Sequence, residues 1–112
     1  MQPLQIKKMR EHAVVPVRST AGSAGLDLAA CLEEPVTIAP GERALIPSGI
    51  AVGLLENTVG LVFARSGLSV KKGIALANGV GVIDSDYTGE ILVGLLNTSK
   101  EAYTVMPSER IA

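Results

Sequence analysis

Apolar runs in this chain are short, and each is cut by glycine, proline or a small polar cluster before it can lengthen. Val36-Thr37-Ile38, Ala44-Leu45-Ile46, Ile50 to Leu55, Val59 to Ala64, Ile74 to Ala77, Gly81-Val82-Ile83 and Glu90 to Leu96 recur in this way, with Tyr103-Thr104-Val105 opening the last. Runs of this length suit β-strands, because an amphipathic helix needs a longer periodic stretch. Leu4 to Met9, Ala13 to Val17 and Leu26 to Cys31 read as further strands, and Pro40-Gly41 predicts a hairpin joining Val36–Ile38 to Ala44–Ile46. Twelve Gly and six Pro among 112 residues supply the turns. Ser66 to Lys72 breaks the pattern and predicts one or two helical turns, with Ser66 as the N-cap. These signals predict an all-β, jelly-roll-like β-barrel with one short helix. The length suits a single domain over residues 1–112.

Composition narrows the function classes. Apolar residues make up 47% of the chain and aromatics only 3%, so the core must be aliphatic. A net charge of −1 gives no electrostatic drive toward nucleic acid or an anionic membrane. Lys7, Lys8 and Arg10 read as a solvated strand edge. Cys31 is the only cysteine, which excludes an internal disulfide and any multi-cysteine zinc site; it reads as a small buried residue. His12 stands alone and reads as structural or exposed. No signal peptide or membrane-length apolar stretch is present, so a soluble, reducing, cytoplasmic setting is expected.

Three stretches could carry chemistry. In Ala24-Gly25-Leu26-Asp27-Leu28, an acid sits between apolar residues beside a glycine turn. It could organise a hydrated Mg²⁺, or simply be satisfied by nearby loop amides. Ala64-Arg65-Ser66-Gly67-Leu68 joins a cation, a hydroxyl and a glycine at a helix start, which suits an anion; an ordinary cap beside a surface arginine reads the same way. The third stretch runs from Asn78 to Tyr87. Its Asn-Gly favours a tight reversal, and the bland reading is a hairpin between Ile74–Ala77 and Gly81–Ile83. The functional reading sets the Asn78 amide against a pyrimidine edge, Asp84 as a base on water and Tyr87 against a sugar.

Taken in this order, Ala24–Ala30, Ala64–Leu68 and Asn78–Glu90 closely resemble the first three of the five motifs of the trimeric dUTPase family, and Arg110-Ile111-Ala112 resembles the start of the fourth. The resemblance implies a jelly-roll β-barrel of the dUTPase-like, β-clip type. It implies a homotrimer with its active sites at subunit interfaces and hydrolysis of dUTP to dUMP and pyrophosphate, which lowers dUTP and supplies dUMP for thymidylate synthesis. Asn78 and the main chain near Leu92 would read uracil, in a hairpin too tight for bulkier bases. Gly81, Val82, Ile83 and Asp84 would line the nucleoside pocket. Tyr87 would pack under the deoxyribose and exclude a ribose hydroxyl. Arg65, Ser66 and Gly67 would hold the phosphates, and Asp84 would orient and deprotonate the attacking water. Asp27 would contact Mg²⁺ through its waters. Ser108-Glu109 stands where that family has Gly-Asp. The chain stops within the fourth motif, so the expectation is of a domain truncated at its C-terminus, without the fifth motif's arm that closes over the nucleotide.

Other classes make different demands. A dCTP deaminase shares the fold and trimer, but its glutamate is expected where this chain has Ile83-Asp84-Ser85-Asp86-Tyr87. A dUTPase-like regulatory or interaction protein would have no need of a base at Asp84. A capsid-like jelly roll would leave Asn78, Asp84 and Tyr87 without a common purpose.

Overall fold

The computed structural model describes residues 3–112, so the first two residues of the predicted domain lie outside the described residues. Along them run β1 (Gln5–Lys8), β2 (Val36–Ile38), β3 (Arg43–Pro47), β4 (Ile50–Gly53), β5 (Gly60–Val62), α1 (Ser66–Lys72), β6 (Ile74–Leu76), β7 (Gly81–Ile83), β8 (Leu92–Asn97) and β9 (Tyr103–Val105). Every pairing is antiparallel, and no two strands adjacent in sequence pair with each other. β1 pairs with β4, β2 with β9 and β5 with β7, while β8 lies between β3 and β6. The strands wrap one aliphatic core as a jelly-roll-like β-barrel with a single short helix.

The alternation along β8 shows how sequence becomes layer. Val93, Leu95 and Asn97 point inward and are buried, while Leu92 faces out, as the two-residue period of a pleated strand requires. Ile38, Ile46, Ile50, Ile74, Leu95, Val105 and Ile111 are each at most 1% exposed and fill the interior. Each such side chain contributes about 1.5–3 kcal/mol through removal of its apolar surface from water.

Several local expectations need correction. Pro40-Gly41 does make a reversal, with the Glu42 N–H donating to the Ala39 carbonyl at 3.0 Å. The flanking strands nevertheless part, Val36 aligning with Val105 and Arg43 with Leu96. A short turn fixes only a change of direction; partners are chosen by which apolar faces close the core. Ala13–Val17 is not a strand: Ala13 and Pro16 are buried, whereas Val14, Val15 and Val17 are exposed. Pro16 lacks the N–H that a ladder needs. Leu26–Cys31 reaches only a single bridge, Ala29 to Arg110, flanked by bonds from the Leu28 N–H to the Ala112 carbonyl and from the Ala30 N–H to the Glu109 carbonyl. Ser66 is not the N-cap. Arg65 occupies that position in extended conformation, with no side-chain cap, and Ser66 is the first helical residue.

The turn between β3 and β4 admits one residue type at its apex. Gly49 adopts φ +74°, and a Cβ there would lie 2.7 Å from that of Ala13 and 2.8 Å from Cys31 Sγ. Only glycine fits both the backbone and the space. The Met9 N–H donates to the Gly49 carbonyl at 2.7 Å, so this turn carries the segment after β1.

Candidate functional site

The reversal after β6 is made by Ala77 to Val80, with the Gly79 N–H on the Leu76 carbonyl at 3.0 Å. The strands it joins do not form the expected hairpin. β6 goes to β8, whereas β7 goes to β5, with Leu61 opposite Val82. Between β7 and β8 lies an open cavity of about 220 Å³. Asn78, Gly81, Val82, Ile83, Asp84, Tyr87 and Leu92 all line it, together with Val62, Leu76, Glu90, Ile91, Val93 and Gly94. The third sequence stretch therefore converges on one cavity, and Leu92 joins it from the next strand. β7 is paired along one edge only, so unpaired main-chain donors and acceptors border the cavity.

Asp84 is exposed at the end of β7. A turn comes next, in which the Tyr87 N–H donates to the Asp84 carbonyl at 3.0 Å. The phenol of Tyr87 donates to the Glu90 carbonyl at 2.7 Å. Its ring folds over Gly89, where a Cβ would come within 2.7 Å of the phenolic oxygen. Asp86 is exposed and does not line the cavity.

The first and second stretches meet in a separate groove of about 420 Å³, lined by Asp27, Arg65, Ser66, Gly67 and the main chain on either side of them. Val62 is the only residue the two cavities share. Asp27 Oδ2 accepts from Ser19 Oγ at 2.7 Å and from Arg110 Nη1 at 3.3 Å. Arg110 also donates to Ser19 at 3.1 Å, and Arg65 donates to the Arg110 carbonyl at 3.4 Å. The Ser19 hydrogen bond, aided by the charges of Arg65 and Arg110, holds the Asp27 carboxyl below its usual range against the opposing effect of burial. The carboxylate is thus held by a hydroxyl and a guanidinium, not by loop amides.

The donor set bears on a cation. Among the described residues no three His, Cys, Asp or Glu side chains gather to hold a metal directly. Both protein bonds to Asp27 fall on Oδ2, which leaves Oδ1 to accept from a water. The groove fits a hydrated hard cation contacted at second hand, and does not fit one caged by protein oxygens.

Sequence reasoning gave Ser19 no role, and it read Gly89, Glu90 and Arg110 only as parts of motifs. Nothing local could have revealed the ion pairs, because Arg10 and Glu90 are 80 residues apart and Asp27 and Arg110 are 83 apart. Arg10 is solvent-exposed as expected, but it is also paired: its Nε and Nη2 donate to Glu90 at 2.7 and 3.0 Å. Lys7, Lys8 and His12 are exposed, and Cys31 is partly buried against the core. No helix among the described residues is long and apolar enough to cross a membrane.

A family model for dUTPase matches residues 11–112. The chain is 56% identical over 110 residues to the deoxyuridine 5'-triphosphate nucleotidohydrolase of Neisseria meningitidis serogroup A, covering 97% of this chain and 73% of that one. It is 52% identical to the enzyme of the same name from Aromatoleum aromaticum, covering 94% and 70%. Among solved structures, a mutant dUTPase of Staphylococcus bacteriophage 80alpha with dUpNHpp superposes with a TM-score of 0.90 at 26% identity, over 100% of this chain and 87% of that one. A mutant dUTPase from phage phi11 of S. aureus, described for its coordination of a structural Mg(II) ion, gives 0.89 at 26% identity over 99% and 87%.

Proposed function

The chain belongs to the dUTPase family, and on that premise we propose how its residues divide the hydrolysis of dUTP to dUMP and pyrophosphate. The observation that carries the assignment is the convergence of Asn78, Asp84, Tyr87 and Leu92 on one cavity beside a singly paired strand. Asn78 and the main chain near Leu92 read the uracil edge, the amide offering a donor and an acceptor together. Gly81, Val82 and Ile83 form the wall against the nucleoside. Tyr87 lies under the deoxyribose, where its ring leaves no room for a 2'-hydroxyl. Asp84 orients the attacking water and takes its proton. The chain contributes position and charge rather than a covalent intermediate, as phosphoanhydride hydrolysis requires.

Arg65, Ser66 and Gly67 hold the phosphates. In support, Ser66 has no cap to make and Arg65 lines the groove that contains Asp27. Asp27 would help to hold the Mg²⁺ that accompanies the triphosphate, through water rather than directly. The ion, when bound, supplies neutralisation of phosphate charge. Arg65 supplies more of it through paired donors.

The protein works as a homotrimer with the site shared between copies. Two features support this. The base-side and phosphate-side residues of one chain line cavities that share only Val62, so a second copy can supply the phosphate groove. On β5, β7 and the residues beside them, Leu61, Phe63 and Val82 are 52%, 55% and 64% exposed, an apolar face of the kind that oligomers cover. The one core among the described residues supports reading the chain as a single domain.

Pyrophosphate release from dUTP with Mg²⁺, compared with dTTP, dCTP and UTP, tests the assignment in this chain and in Asp84→Asn. Hydrolysis selective for dUTP, reduced by about 10²- to 10⁴-fold in the variant, is expected for loss of a general base. Ammonia release from dCTP, or an unaffected Asp84→Asn, would overturn it.

A further inference from the structure

We infer that Arg10 is a positioning residue of the nucleoside pocket, acting through Glu90 on Tyr87. Arg10 lies beyond the end of β1 and does not line the cavity. Its guanidinium reaches the Glu90 carboxylate with two parallel bonds, Nε to Oε2 at 2.7 Å and Nη2 to Oε1 at 3.0 Å. A third donor, the Gly49 N–H, meets Oε2 at 2.8 Å. Such a fork fixes orientation as well as distance. The Glu90 side chain is only 16% exposed, so water competes poorly for the carboxylate. The next residue is tied as well, the Ile91 N–H donating to the Ile50 carbonyl at 2.9 Å.

Glu90 is therefore held on both sides of its carbonyl, and that carbonyl accepts the Tyr87 phenol at 2.7 Å. Only Thr88 and Gly89 separate the two residues, and the ring already touches Gly89. The tilt of the ring is thus set by where the Glu90 carbonyl sits, and Arg10 and Gly49 set that place. Without Arg10 the carboxylate keeps one backbone donor and turns toward solvent. The Glu90 peptide is then free to rotate, and the phenol loses its fixed acceptor. The chemical consequence lies in sugar discrimination: a ring free to tilt makes room for a 2'-hydroxyl. This inference rests on the reading that Tyr87 lies under the deoxyribose.

The experiment is a double-mutant cycle read by substrate ratio. kcat and KM for dUTP and UTP are measured for the full chain, Arg10→Met, Tyr87→Phe and the double variant, each with a thermal melt. In Arg10→Met, kcat/KM for UTP relative to dUTP should rise about tenfold, within the range that coupled neighbours show. Tyr87→Phe should do the same, and the double variant should add little. Arg10→Lys, which keeps the charge but not the fork, should recover part of the ratio. Should Arg10→Met fail to fold, Glu90→Gln keeps the side-chain shape, weakens the fork and reads the same ratio. An unchanged ratio alongside a lowered melting temperature would overturn the inference, reducing the pair to a tie between the N-terminal segment and the barrel. Effects that multiply independently in the double variant would overturn it too. A wild-type chain that does not prefer dUTP to UTP would instead remove the Tyr87 reading beneath it.

Discussion

Asn97 ends β8 inside the barrel, fully buried, and has all its hydrogen-bonding capacity in use. Its Nδ2 donates to the carbonyls of Ile38 and Glu101 at 2.9 and 2.8 Å, and Oδ1 accepts from the N–H and hydroxyl of Ser99 at 2.9 and 2.8 Å. A buried amide with four partners ties β2, β8 and the loop before β9 together. Asn97→Ala should cost about 3 kcal/mol, since it opens a space and removes the side-chain donor from the Ile38 carbonyl and the acceptor from the Ser99 N–H. A shift of the urea midpoint with an unchanged slope would register it, and a loss below about 1 kcal/mol would show that water replaces the amide. In the sequence, Asn97 is only a polar residue after an apolar run. Whether it ends a strand at the surface or fills a core depends on chains packed around it from far away.

At the scale of an element, the segment from β9 to Arg110 shows a local sequence choice offset by a tertiary contact. Ser108 adopts φ +65°, a left-handed conformation that an L side chain resists. Glu109 compensates: Oε1 accepts from the Met106 N–H at 2.9 Å, and the other oxygen accepts from the Tyr103 phenol. Burial, with the Glu109 carboxylate beside it, pushes the Tyr103 phenol up to about 12, so the phenol stays protonated and the bond persists at any ordinary pH. Arg110, next in the chain, is thereby delivered to Asp27. Ser108→Gly should raise stability by about 0.5–1 kcal/mol, the left-handed strain exceeding glycine's entropic cost. A melting temperature that falls instead would show that the serine side chain matters in its own right. The departure at Ser108-Glu109 was visible in the sequence, but its compensation by Tyr103 was not.

At the scale of the molecule, ion pairs among the described residues join segments far apart in sequence: Arg10 to Glu90 and Arg110 to Asp27. The Arg10 hydrogen bond, with help from Gly49 and against the effect of burial, holds the Glu90 carboxyl below its usual 4.5, and Asp27 is likewise held below its usual 3.8. A carboxyl depressed in the folded state binds fewer protons there than when unfolded. Its contribution is therefore complete above the ordinary carboxylate range, shrinks once pH drops below about 4.5, and is gone below the folded value. Urea midpoints measured from pH 7 down to pH 3 should fall with acid, and Glu90→Gln should flatten that fall. An equally steep fall in the variant would assign the acid sensitivity elsewhere.

The elements themselves were legible in the sequence for a physical reason. A strand's two-residue period, a Pro-Gly or Asn-Gly turn and an aliphatic composition act within a few residues, so β1 to β9 and α1 could be found and three motifs set on their loops. The motifs also carried Asn78, Asp84 and Tyr87 as one group, because one turn and one short strand hold them together. What the sequence left open was partnership. Both short turns predicted hairpins, and in both the strands went to distant partners, since closure of the Ile and Leu core outweighs the pairing a turn can offer. That divergence at Asn78-Gly79 is what opens the cavity, and bonds spanning some 80 residues are what fix Glu90 in its lining and Asp27 in the separate groove. Contacts between segments so far apart are decided only when the whole core packs.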